Sequence, residues 1–144
     1  MKTKLLLRIA AVIMLLHGLG HTFGVMTWQN PRTAEYQQTV EKMQDVQFDF
    51  MGKSNATLAD FYSGFGYGGT ILLLLSAALL WVISDLRHKS VIKLLWIIGV
   101  AIVLLGIIET IYFFPFAVSF CIVSAALVFI AIFQLKKAST KKQP

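Results

Sequence analysis

One cysteine, Cys121, stands alone in the chain. A single thiol closes no intramolecular disulfide, which excludes a disulfide scaffold, and its apolar surroundings read as those of a small buried hydrophobe. Charge is scarce as well. Charged residues make up only 14% of the chain, well under the ~25% of an ordinary soluble domain. Acidic residues number seven. Also missing are a nucleotide-binding glycine loop, a Cys-x-x-Cys pair, a Ser/His/Asp set and any internal repeat. Basic residues outnumber acidic ones, and the formal net charge is +6. They are scattered and form no single patch, so nucleic acid is not an expected partner.

What the chain does have is apolar bulk. Hydrophobic residues reach 57%, and the mean hydropathy is +0.72. A single soluble domain of 144 residues has no interior large enough to hide that surface. Disorder and a typical soluble enzyme are excluded on the same ground.

Four apolar runs stand out, at about 5–26, 58–84, 91–114 and 115–135. Each reaches the ~20 residues that cross a hydrocarbon core as a helix. Lipid offers backbone groups no partners, so only helices or closed barrels span it, and these runs are too long for barrel strands. The expected fold is all-α: one integral membrane four-helix bundle over residues 1–144, with a cytoplasmic tail from 136. Lys2, Lys4 and Arg8 before Ile9–Leu16 resemble the start of a secretory signal, yet no Ala-x-Ala-type site follows. A retained first span is expected.

The basic residues then supply an orientation. Ten flank one side of these spans: Lys2, Lys4, Arg8, Arg87, Lys89, Lys93, Lys136, Lys137, Lys141 and Lys142. Three lie on the other: Arg32, Lys42 and Lys53. The positive-inside rule places both termini in the cytoplasm and the 27–57 loop outside. Trp28, Tyr112 and Phe113 then fall at the outer boundary, Trp81 and Trp96 at the inner one. The basic tail meets anionic lipid or simply stops transfer. Asn30-Pro31 reads as a helix start. Tyr36, Val40, Met43, Gln47 and Phe50 would form an apolar stripe on that outer helix, either a plain connector or a lid. Gly52–Asn55 reads as a turn, with Ser54 or Asn55 capping the second span. Gly20-x-x-x-Gly24 and Gly64-x-x-x-Gly68 read as helix-packing motifs.

The scarcity of charge makes the exceptions visible. His17 and His21 are four apart on span one and share a face. Glu109 lies roughly 18 residues, or ~27 Å, above the inner start of span three. Asp60 opens span two from outside, and Tyr112 follows Glu109 by one turn. All five fall in the outer half of the membrane. A charge at membrane depth costs about 2.5–3.5 kcal/mol or more. Glu109 must therefore be protonated, face water or pair, and a span-one histidine is its expected partner.

Such a set supports several chemistries. His17, His21, Asp60, Glu109 and Tyr112 can line a ligand-binding or proton-linked pocket. His17, His21 and Glu109 can ligate a divalent metal, zinc or iron by ligand type. They can also simply lock the helices. His-Glu-x-x-His and Glu-x-x-His are both absent, and His88 sits on the wrong loop to complete a bis-histidine haem, so haem is not expected. The functional expectation is a small polytopic binding or accessory protein. The alternatives are a metal-dependent membrane enzyme acting on a lipid-soluble or periplasmic substrate, and a structural bundle. Expected partners are membrane lipids and either a membrane protein or a second copy.

The stretch His17-Gly18-Leu19-Gly20-His21-Thr22 resembles that of a group of uncharacterised small bacterial membrane proteins with a His-Gly-x-Gly-His-Thr first helix. Asp60-Phe61-Tyr62-Ser63-Gly64-Phe65-Gly66 is similar too. The resemblance implies a multi-pass protein of the bacterial inner membrane and carries no activity with it. The four-span layout also resembles that of DoxX-like membrane proteins, as an analogy of architecture alone.

Overall fold

A computed structural model describes residues 2–30, 32–50, 52–86 and 90–140. Pro31, Arg87, His88, Lys89, Lys141 and Lys142 lie outside the described residues, as do the expectations that rest on them. The chain is mostly helical. Helices α1 (Lys2–Thr27), α3 (Leu58–Ile83), α4 (Val91–Tyr112) and α5 (Pro115–Thr140) are long and apolar enough to cross a membrane. By length and composition, the chain is a multi-pass membrane protein. The connection between α1 and α3 holds α2 (Ala34–Asp45) and two antiparallel strands, β1 (Gln47–Phe50) and β2 (Lys53–Thr57).

That connection departs from the sequence expectation in three ways. Helix α2 starts after Thr33, not Asn30. Thr33 has the extended backbone of a cap, and its hydroxyl accepts the Tyr36 amide hydrogen at 3.2 Å. The Asn30 amide is already used, donating to the Thr27 carbonyl in a turn that leaves α1. Second, α2 ends at Asp45, so only Tyr36, Val40 and Met43 of the apolar stripe lie on it; Gln47 and Phe50 belong to β1. Third, Ser54 and Asn55 fall within β2 and do not cap α3. The reversal is made at Gly52, whose φ of 92° suits glycine, and Asn55 adopts φ 59°.

Thr57 starts α3 instead. Its hydroxyl accepts the Asp60 amide hydrogen at 3.1 Å, and the Asp60 carboxylate accepts the Thr57 amide hydrogen at 3.1 Å. This reciprocal capping satisfies two helix-start donors at once, and puts a negative charge where the helix dipole favours it.

The chain forms two compact units, residues 18–72 and the remainder on either side of them. In the 18–72 unit, the α1 and α3 segments approach closely. A Cβ on Gly66 would fall 2.7 Å from Val25 Cγ2, and one on Gly69 3.2 Å from His21 Cε1. Gly20, Gly24, Gly64 and Gly68 have no such neighbour among the described residues, so the two expected glycine motifs do not mark the contact. Trp28 ties the unit together. Its indole N–H donates to Ser63 Oγ at 3.2 Å, its ring meets Tyr62, and its carbonyl accepts from the Tyr36 hydroxyl.

The other unit packs the first part of α1, the last part of α3, α4 and α5. Leu7, Met14, Leu80, Leu95, Ile102, Val128 and Ile132 are buried at its centre. Small side chains (Ala10, Ala11, Ala77, Ala125 and Ala131) fill the gaps between them. Helices α4 and α5 are joined by a tight turn, with Pro115 at the first position of α5, where its missing N–H costs nothing. They approach closely at Gly99 and Gly106, where a Cβ would meet Phe129 at 3.2 Å and Cys121 Cβ at 3.1 Å. Close backbone approach at small residues is how helices gain contact where lipid supplies no hydrophobic drive.

Charge in this unit pairs where α1 begins and α3 ends. Asp85 pairs with Lys4 and, at 3.3 Å, with Arg8. Arg8 also donates to Ser84 Oγ and lies over the Trp81 ring. Lys136 sits over the Trp96 ring. Each tryptophan assigned to the inner boundary thus carries a cation.

Candidate functional site

The buried polar centre lies in the unit built around α4 and α5. His17 comes from α1, Glu109 from α4 and Cys121 from α5. The expected contact between Glu109 and a span-one histidine is present, with His17 Nε2 3.1 Å from Glu109 Oε1. The two residues are 5% and 4% exposed. Cys121, 1% exposed, closes the triangle. Its thiol donates to Glu109 Oε2 at 3.3 Å, and its sulfur lies 3.8 Å from His17 Nδ1.

Local sequence explains the convergence. Glu109 occupies the last turn of α4. The tight turn at Phe113–Phe114 folds α5 back along it, so the second turn of α5 returns to the same level and presents Cys121. Gly106, one turn before Glu109, leaves room for Cys121 Cβ. Phe120 stacks on the imidazole with ring centroids 5.3 Å apart, and Phe116 packs edge-on against Phe120. The aromatic cover fixes the ring plane and keeps water from it.

Each ring nitrogen of His17 has a titratable neighbour, and each carboxylate oxygen of Glu109 has a donor. The centre can hold a proton between imidazole and carboxylate. It also offers one nitrogen, one oxygen and one sulfur ligand, all within 4.8 Å of one another. One turn further along α5, Ser124 is fully buried, and its hydroxyl has no hydrogen-bond partner among the described residues. Cys121 also lines a shallow, open apolar groove of about 190 Å³ between α4 and α5, beside Ile102, Gly106, Ile107, Val118 and Ile122.

The remaining sequence candidates take other places. His21 Nδ1 lies 3.1 Å from Thr70 Oγ1, within the 18–72 unit. Asp60 caps α3 in that same unit. Tyr112 is 76% exposed, so its side chain stays outside the buried centre. Cys121 was not expected as a polar contributor, because an apolar stretch conceals it. The usable signal was its height beside the α4–α5 turn, which matches that of Glu109.

Comparison of the chain with protein-family models, with curated proteins and with solved structures finds no match.

Proposed function

We propose that this is a small polytopic accessory protein of the bacterial inner membrane, whose buried His17–Glu109 pair is a proton-linked centre that holds a small polar ligand or tunes a partner's proton traffic. The pair carries the reading: a carboxylate and an imidazole 3.1 Å apart, almost wholly buried, in helices otherwise built of apolar residues. A static lock needs only neutral hydrogen bonds, which serine, threonine or asparagine provide at less cost in lipid. Two ionisable groups facing each other can instead exchange one proton without exposing a net charge. The groups facing His17 are Glu109 from α4, and Cys121 and the Phe120 ring from α5.

Other features fit the same reading. Both termini are cytoplasmic, on the distribution of ten basic residues against three. Helix α2 buries Val40 within an otherwise polar sequence, which fits an amphipathic helix in the outer loop. The resemblance at His17–Thr22 and Asp60–Gly66 supports the bacterial inner membrane, and the span layout supports an architecture like that of DoxX-like proteins. Lipids and a membrane-protein partner or second copy are the surroundings this implies.

Proton exchange by the purified protein in nanodiscs tests the proposal. On a pH step, the wild type is expected to take up or release one more proton than E109Q, with both variants folded. Equal proton counts, with E109Q merely less stable, would leave the pair as a lock.

A further inference from the structure

We propose that His17, Glu109 and Cys121 form a binding site for one divalent cation of the zinc class. The inference rests on the reading of His17–Glu109 as the functional centre and names the ligand that centre takes. The ligand set differs from the His17, His21 and Glu109 expected from helical spacing, because it is Cys121 that closes on the other two.

Three observations converge. The first is donor chemistry. Imidazole nitrogen, carboxylate oxygen and thiolate sulfur are the ligands zinc accepts together, whereas magnesium and calcium take oxygen alone. The second is spacing. Ligands bonded at ~2.0–2.3 Å around a tetrahedral zinc lie ~3.3–3.7 Å from one another. The contacts between these side chains are 3.1, 3.3 and 3.8 Å. They involve both ring nitrogens of His17 and both carboxylate oxygens of Glu109; with one ligand atom taken from each residue, all three lie within 4.8 Å of one another. The third is Ser124, whose buried hydroxyl lacks a partner among the described residues. It lies at i+3 from Cys121, one turn on and ~60° around the helix. Buried hydroxyls are rarely left unpaired, and this one stands one turn of α5 from the sulfur ligand.

Charge balance favours the same conclusion. A dication with a thiolate, a carboxylate and a neutral imidazole is a neutral centre, the kind a low-dielectric span tolerates. Binding displaces two protons, the one on the Cys121 thiol and the one shared by His17 and Glu109, and both leave to solvent.

The test uses the full chain, purified in nanodiscs, with zinc and cobalt(II) as the probes. One tightly bound zinc per chain is expected. Cobalt should give a tetrahedral visible spectrum with a sulfur-to-cobalt charge-transfer band. C121S should remove that band and weaken zinc binding at least tenfold, while H17Q and E109Q weaken it comparably. C121S keeps the His17–Glu109 pair and is slightly smaller than cysteine, so it tests the site even if H17Q does not fold. The proton-exchange difference between wild type and E109Q is read on the same preparations before metal is added. Zinc binding undiminished in C121S, or no stoichiometric zinc in wild type, overturns the metal site, whether or not the proton signal persists. Zinc bound with all three ligands required, but without the proton difference, upholds the site and overturns the proton-linked reading.

Discussion

Glu109 Oε1 lies 3.1 Å from His17 Nε2 across the α1–α4 contact, with Cys121 bonded to the other carboxylate oxygen. Burial makes the members of this centre interdependent. Removing one partner strands the others in a medium that cannot solvate them.

That interdependence has a stability signature. H17L or E109L alone should cost about 3–5 kcal/mol, because each leaves an uncompensated buried group. The double variant H17L/E109L should be less destabilised than either single change, since it leaves only the weakly polar Cys121 thiol without its partner. Unfolding in detergent, arranged as a double-mutant cycle, measures the coupling. Additive single effects would show that the two side chains do not act as a pair.

Asp85 gives a pH-dependent prediction outside the spans. The hydrogen bond from Lys4 holds its pKa below the usual aspartate value, helped by the charges of Lys4 and Arg8 against an opposing desolvation. A folded-state pKa below the unfolded one contributes stability that is full above the unfolded value and is lost as pH falls through the folded one. Thermal unfolding of the wild type should therefore lose stability on acidification below the ordinary carboxylate range, and D85N should lose less. Added salt should shrink the difference, because the carboxylate is exposed. Parallel acid profiles for the two proteins would contradict the assignment.

The glycines divide by what a side chain would meet. G106A places a methyl 3.1 Å from Cys121 Cβ, an atom fixed to the α5 backbone, so overpacking should cost about 1–3 kcal/mol. G64A meets nothing within 4 Å and should be neutral or stabilising by up to ~1 kcal/mol, through helix propensity. Equal effects in a stability assay would mean that α4 and α5 do not touch at Gly106.

Orientation is tested by labelling. In a C121S background, D45C should react with a membrane-impermeant maleimide added to intact cells, and S139C only after the membrane is opened. The reverse pattern would invert the topology read from the basic residues.

Length and hydropathy made the spans legible, because lipid leaves the backbone little choice but a helix. Helices α3 and α4 begin at the expected Leu58 and Val91. Helix α5 runs on to Thr140, past the expected 135, since Lys136 and Lys137 are good helix formers and suit the negative end of the dipole. The two short strands were not legible, because Asp49, Gly52 and Asn55 lack strand propensity and the local pattern mimics a helix stripe. Thr57-Leu58-Ala59-Asp60 was a readable capping signal, but the depth argument assigned Asp60 to a pocket instead.

The centre itself was half legible. Depth identified Glu109 and a histidine as partners. Depth cannot say which way a side chain points, and helices apolar on every face offer no periodicity to decide it. Tyr112, three residues from Glu109, is rotated ~60° from it along the helix and ends up exposed. Cys121, hidden by its apolar neighbours, turns inward.

The central claim is that His17 and Glu109 share a proton-linked centre. Nitrogen-15 shifts of the His17 ring, recorded in nanodiscs while pH is stepped, test it most directly. The account predicts a reversible change between imidazole and imidazolium that E109Q alters and D60N does not. His17 nitrogens that hold one fixed protonation state wherever the protein stays folded, unchanged by E109Q, would contradict it.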